Sequence, residues 1–306
     1  MFTHLLVLHT TEQALLQVDI ATRAVSVVAD GLTDAPDGIV VDPAGQHIYW
    51  TNMGAPSLVH SECPPDEANL DFYAKNGSIE RIALDGSGRT TIVAKGQFVT
   101  GKQLAADWSR RRLYWADREG AAIRSVALDG TDQRDEVVVA VSEAEQHDER
   151  THCVGIAVDT RHELLYWTQK GPSKGGAGQI LRTSLQIPPG QSATEREVEV
   201  LWSQLPEPID LDVDPHDSVI YWTDRGRPPN GNTLNCAEVP AVGQPGSSPK
   251  ILAEGFHEAI GLAVDRERGT AYVSDLSGEI RAVNLDGSGD RPLTKIAGRI
   301  TGIAGI

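Results

Sequence analysis

The stretch that decides the fold is Leu205 to Gly226, LPEPIDLDVDPHDSVIYWTDRG. It reads as a short apolar strand ending in Asp-Pro, a turn, a second strand carrying Tyr-Trp-Thr-Asp, and a loop opening on a basic residue and Gly. The same order recurs along the chain, with aromatic pairs at Tyr49-Trp50, Tyr114-Trp115, Tyr166-Trp167 and Tyr221-Trp222 and a weaker copy at Tyr272-Val273. A recurring unit of this length signals a repeat architecture. Each pair follows an apolar strand: Gly38 to Asp42, Gln103 to Asp107, Gly155 to Asp159, Asp210 to Asp214 and Gly261 to Asp265. After the pair come two further strand-like segments joined by Asp-Gly, as at Asp85-Gly86 and Asp129-Gly130, and Asp-Gly between alternating segments marks a hairpin.

Each unit is thus a four-stranded antiparallel sheet, and five are complete. Residues Thr301 to Ile306 match a first strand, and the N-terminal residues supply three more. The expected fold is all-β: one six-bladed β-propeller over residues 1–306, its ring closed by a blade shared between 1–30 and 300–306. An insertion over 52–77, with Pro56, Pro64 and Pro65, is expected on the top face, as a lid or as a surface excursion.

The tetrads YWTN (Tyr49 to Asn52), YWAD (Tyr114 to Asp117), YWTQ (Tyr166 to Gln169) and YWTD (Tyr221 to Asp224), with their LDG turns, resemble the YWTD repeats of low-density lipoprotein receptor relatives. The resemblance implies a six-bladed propeller in a stand-alone form, and makes the tetrad acids blade-bracing residues. The architecture is also similar to that of gluconolactonase and strictosidine synthase-like propellers, which are enzymes working in a central pocket; their metal-ligand pattern is not clearly reproduced here.

The net charge of -16 argues against nucleic acid and anionic membranes as partners, since both would be repelled. Cys63, Cys153 and Cys236 are scattered and odd in number, which reads as free thiols. The N-terminus lacks the basic region of a signal peptide, so a cytoplasmic location is expected. There is no Gly-rich phosphate loop, GxSxG elbow or HExxH helix, which disfavours nucleotide-dependent redox chemistry, serine hydrolysis of that type and zinc peptidase activity.

Long loops follow the Tyr-Trp strands and lead into the next blades, so one face of the ring is expected to carry function. Aligned inner strands give a column Gly38, Gln103, Gly155, Asp210, Gly261, Gly302, and two residues on Val40, Ala105, Ala157, Asp212, Ala263, Ala304. Asp210 and Asp212 depart from small or apolar neighbours. A carboxylate there needs a partner, a ligand, or the amides of a neighbouring blade.

Asp37 and Lys102 hold equivalent lead-in positions, as an ion pair or as a base and an anion-binding group. His152 and Glu258 stand two residues earlier in their blades, where a histidine can transfer protons. Arg118, Lys170 and Arg225 follow three successive tetrads and suit a carboxylate or phosphate, or pair with acids such as Glu119.

The leading expectation is a small-molecule enzyme, a lactonase-like hydrolase or a lyase, isomerase or cyclase. Its candidate catalytic residues are Asp212, Asp210, Asp37 and His152. Its candidate binding residues are Lys102, Gln103, Arg118, Lys170, Arg225 and Asn52. No cofactor is required, although a divalent cation such as calcium would have Asp37, Asp210 and Asp212 as hard oxygen ligands. The alternative is a non-catalytic module with a protein partner.

Overall fold

Adjacent residues of a strand point to opposite faces of its sheet, so a Tyr-Trp pair gives each of the four blades that carry it one aromatic per face. In the computed structural model, which describes residues 1–62 and 69–306, this alternation joins the blades. Tyr49 packs with Trp115 of the next blade, Tyr114 with Trp167, and Tyr166 with Trp222. Tyr221 meets Val273, and Tyr272 meets Leu5 and Val7. The four tryptophans are at most 1% exposed, so the core lies in the seams between blades.

Six four-stranded antiparallel sheets result. Their inner strands are Pro36–Asp42, Gly101–Asp107, Cys153–Asp159, Pro208–Asp214, Ala259–Asp265 and Ile300–Gly305. Each inner strand touches those of both neighbouring blades, which closes the ring around a central channel. The sixth sheet pairs Ile300–Gly305 with His4–His9, followed by Ala14–Asp19 and Val25–Ala29.

Side-chain oxygens hold the backbone at three levels. The Asp that ends five of the six inner strands accepts an amide from the turn after it: Gly45 N to Asp42, Arg110 N to Asp107, His162 N to Asp159, His216 N to Asp214 and Arg268 N to Asp265. The tetrad acids brace the opposite end. Asp117 accepts from Val99, Thr100 and Gly120 N–H, Asp224 from Glu207 and Gly226, and Asp275 from His257 and Ser277.

Between these levels the third tetrad residue crosses the seam. Thr51 Oγ1 accepts from Gly38 N at 2.9 Å and donates to Lys102 O of the next blade at 2.6 Å. Thr168, Thr223 and Ser274 repeat this strut toward Ile209, Ile260 and Thr301. Ala116 has no hydroxyl, so the seam between the second and third blades lacks it.

Glycine at the inner-strand column is steric in origin. A Cβ at Gly38 would lie 2.6 Å from the backbone of Lys102 to Leu104. Cys153 and Cys236 are free thiols, and burial pushes the Cys153 thiol up. Cys63, Pro64 and Pro65 lie outside the described residues. Among the described residues no helix is long and apolar enough to cross a membrane.

Candidate functional site at the long-loop mouth of the channel

At the long-loop end the inner strands present a collar of Asp37, Lys102, Val154, Ile209, Ile260 and Thr301. Half of it is apolar, because Val154, Ile209 and Ile260 pack together with Leu276 against them. The other half is Thr301, which donates to Pro36 O, and an ion pair: Lys102 Nζ lies 2.5 Å from Asp37 Oδ1, both groups buried. Met53 Sδ is 3.4 Å from the same ammonium.

Above this collar lies a second, made of the residues that follow the tetrads. A backbone bond fixes each one, as Arg118 N donates to Thr100 O, Lys170 N to His152 O and Arg225 N to Glu207 O. Three successive blades therefore aim cations at the mouth. Burial lowers the Lys102 pKa, and the positive charges of Arg118 and Arg225 lower it further against the pull of Asp37. Burial lowers Lys170 likewise, again with Arg118 and Arg225 adding to the effect. Each lysine thus feels both arginines.

Each cation also has an acid. Arg118 Nε donates to Glu119 Oε1 at 2.5 Å, and Arg225 Nε to Glu207 Oε1 at 2.7 Å. Lys170 Nζ reaches Glu149 Oε2 at 3.3 Å and Gly171 O at 3.1 Å. Pairing with local acids, one of the two sequence readings, is realised throughout. Sequence reasoning overlooked Glu207, although it shares the lead-in position of His152 and Glu258.

The insertion reaches this site. Its strands Ser57–Leu58 and Leu70–Asp71 pair, the Phe72 ring lies 5.2 Å from the Arg118 guanidinium, and Tyr73 stacks on His147 at 3.9 Å. His152 sits beneath, 5% exposed, with Nε2 3.3 Å from Tyr73 Oη and 3.2 Å from Gln146 O. Burial lowers its pKa to about 4, with Arg118 and Lys170 assisting and Glu119 opposing.

This shift has a testable sign. The unfolded histidine takes up a proton below about pH 6.5, while the folded one stays neutral to about pH 4. The neutral ring's contribution is therefore complete above pH 6.5 and is lost as pH falls toward 4. It amounts to about 3 kcal/mol at 1.36 kcal/mol per pH unit. The His152 ring resonance is expected not to titrate above pH 5 in an NMR titration, and a midpoint near 6.5 would contradict its burial.

The channel carboxylates are placed differently from one another. Asp210 accepts Leu211 N at Oδ1 and Leu262 N of the next blade at Oδ2, each at 2.9 Å. Burial raises its pKa well above the carboxylate range, and the nearby charges of Asp212 and Asp37 add to this. Asp212 lies toward the opposite, short-turn end and is ion-paired with Arg266, which also holds Asp214 at 2.9 Å and Val213 O. Burial still raises Asp212 to about 6.

The mouth therefore brings together Asp37, Lys102, His152, Arg118, Lys170 and Arg225, and Asp212 stays apart. Gln103 is buried beside Lys102 with Nε2 unpartnered. Asn52 occupies the bracing position and donates to Ser78 Oγ. Among the described residues the group spaced to hold an ion is His257, Asp275 and Glu279, where Asp275 already accepts amides; Asp37, Asp210 and Asp212 do not form such a group.

No family model matches the chain. Low-density lipoprotein receptor-related protein 1 of Pyricularia oryzae is 40% identical over 288 residues, covering 90% of this chain and 87% of that protein. The 3-hydroxyacyl-CoA dehydrogenase-like protein LAM1 of Cochliobolus heterostrophus is 37% identical over 83% of the chain, which spans about half (52%) of its length. Among solved structures, a chain of the nidogen/laminin complex superposes with a TM-score of 0.72 at 19% identity, covering 98% of this chain and 97% of that one. The gluconolactonase XC5397 of Xanthomonas campestris superposes with a TM-score of 0.61 at 13% identity, covering 96% and 84%. With its tetrads, its six closed blades and a 40% identical relative matched along almost its whole length, the chain belongs to the low-density lipoprotein receptor-related family of six-bladed propellers.

Proposed function

We propose that the long-loop mouth is the site of an acid/base enzyme acting on a small anionic molecule. Lys102, Arg118, Lys170 and Arg225 hold the anion, and His152 exchanges the proton. The observation that carries this reading is the crowding of four cations at one buried mouth of a very acidic chain. Like charges gathered out of water oppose folding, and perturbed groups of this kind cluster at functional sites. Each cation already has an acid beside it, Asp37, Glu119, Glu149 or Glu207, and a bound anion would add to that neutralisation. Asp210 spends both oxygens on backbone amides and Asp212 gives one to Arg266, so here they shape the channel and stay outside the reacting set.

The test uses inorganic phosphate against chloride at matched ionic strength. Phosphate is expected to bind at millimolar concentration and raise the melting temperature by several degrees through mass action. Lys170→Met is expected to weaken it at least tenfold, while stranding only the half-exposed Glu149. A phosphate effect equal to that of chloride would sink the anion site.

A second reading, a module that binds a protein, is favoured by the receptor-related name of the 40% identical relative and by exposed Leu58, Val59 and Val141 in the long loops.

A further inference from the structure

The side chains of Lys102, Lys170 and Arg225 are only 10%, 7% and 9% exposed. An anion reaches them only if something over the mouth moves. The loop that follows Lys170, residues 171–177, has the build of such a cover. Residues 172–176 are exposed, so lifting the loop uncovers little apolar surface. Its two ends lie side by side, since a Cβ on Gly171 would be 3.0 Å from the carbonyl carbon of Ala177. Gly171 and Gly176 have φ of +68° and +69°, which glycine adopts without strain, and they stand at the two ends where a hinge would bend.

Three carboxylates hold the loop down, and each also holds a cation of the mouth. Glu149 Oε2 accepts from Ser173 N at 3.2 Å and from Lys170 Nζ at 3.3 Å. Glu207 Oε2 accepts from Lys174 N at 2.9 Å, while its Oε1 takes Arg225 Nε at 2.7 Å. Glu258 Oε1 accepts from Lys174 Nζ at 2.8 Å, and its Oε2 is 3.6 Å from an Arg225 guanidinium nitrogen. Gly176 N donates to Pro206 O at 3.2 Å. These contacts carry the loop from the third blade across the fourth to the lead-in of the fifth. The Lys174–Glu258 pair joins two part-exposed side chains, 38% and 27%, and such a pair exchanges readily for water.

We infer that residues 171–177 form a lid over the Lys170 and Arg225 side of the mouth, closed in this structure and latched by Lys174 on Glu207 and Glu258, and that the anion enters when the lid swings away. This rests on the anionic reading of the mouth given above. Binding then includes the cost of opening, so the measured affinity is that of the open form reduced by the fraction of molecules that are open.

Lys174→Met in the full chain tests it, because it removes the Glu258 latch and keeps the backbone bond to Glu207. Hydrogen exchange of the loop amides is followed in both proteins, and phosphate binding by calorimetry at fixed ionic strength. In the intact protein the loop amides are expected to exchange at least about tenfold faster than those of the flanking strands Leu164–Gln169 and Gly178–Ser184. Lys174→Met is expected to speed them severalfold further and to tighten phosphate binding about threefold. Loss of a positive charge by itself predicts weaker binding, so the two causes differ in sign.

Loop amides as slow as those of the strands would make the loop a fixed part of its blade and overturn the lid. Faster exchange in the variant with phosphate binding unchanged or weaker would overturn it as well, since the cations would then be reachable without opening. No phosphate binding in either protein would remove the anion site and its gating together, and that failure is recognised by an exchange response to Lys174→Met that persists.

Discussion

A chain ending at Arg299 is expected to lose cooperative folding, or to melt at least 15 °C below the intact protein. Residues 300–305 are the inner strand of the sixth blade, and Ile300 and Ile303 are fully buried there. Two buried isoleucines are worth roughly 2–5 kcal/mol each. The backbone bonds of Thr3 N and His4 N to Ile306 O and of Ile306 N to His4 O disappear with them. So do the side-chain links from Ser274 to Thr301 O and from Thr301 to Pro36 O, which tie this strand to both neighbours. The sum is comparable to the whole stability of a typical domain, about 5–15 kcal/mol. Urea melts read by tryptophan fluorescence check it, and an unchanged midpoint would show that the ring does not depend on this strand.

The second large effect is at the Asp37–Lys102 pair. Lys102→Met leaves the Asp37 carboxylate, 1% exposed, without its cation, and is expected to cost about 3–5 kcal/mol, as for other broken buried pairs. Asp37→Leu combined with Lys102→Met removes both charges, and is expected to recover most of that loss, because neither ion then has to leave water. The double variant should fold well and bind phosphate at least tenfold more weakly. Recovery of stability with full anion binding would make the pair purely structural. Failure to recover stability would mean that the pair contributes more than its own desolvation consumes.

The fold was legible because its determinants are local and repeated. A Tyr-Trp pair commits one aromatic to each face, and an Asp-Gly turn commits the strands around it to pairing. The alignment of inner strands also isolated Asp210 and Asp212 as departures from their columns. The reading put both at the long-loop mouth, whereas Asp212 faces Arg266 at the short-turn end. That depends on strand register and on a neighbouring blade, namely Leu262 N for Asp210 and Arg266 for Asp212.

The tetrad threonine was hidden for a related reason. Its hydroxyl works across a seam to a carbonyl more than 35 residues away, so its role has no local signature. Tyr73 was visible as a residue, but its approach to His152 needed the path of the insertion.

Closure of the ring by its last strand also sets an order of events during synthesis. His4–His9 leaves the ribosome with one edge unpaired, and its partner Ile300–Gly305 follows nearly three hundred residues later. At roughly 5–20 residues per second that interval is about 15–60 s. Throughout it the nascent first strands present an open edge on which another nascent chain can dock. The seam that completes the propeller is thus the one most exposed to exchange between neighbouring copies on a polysome, and the one where a holding chaperone would have the most to cover.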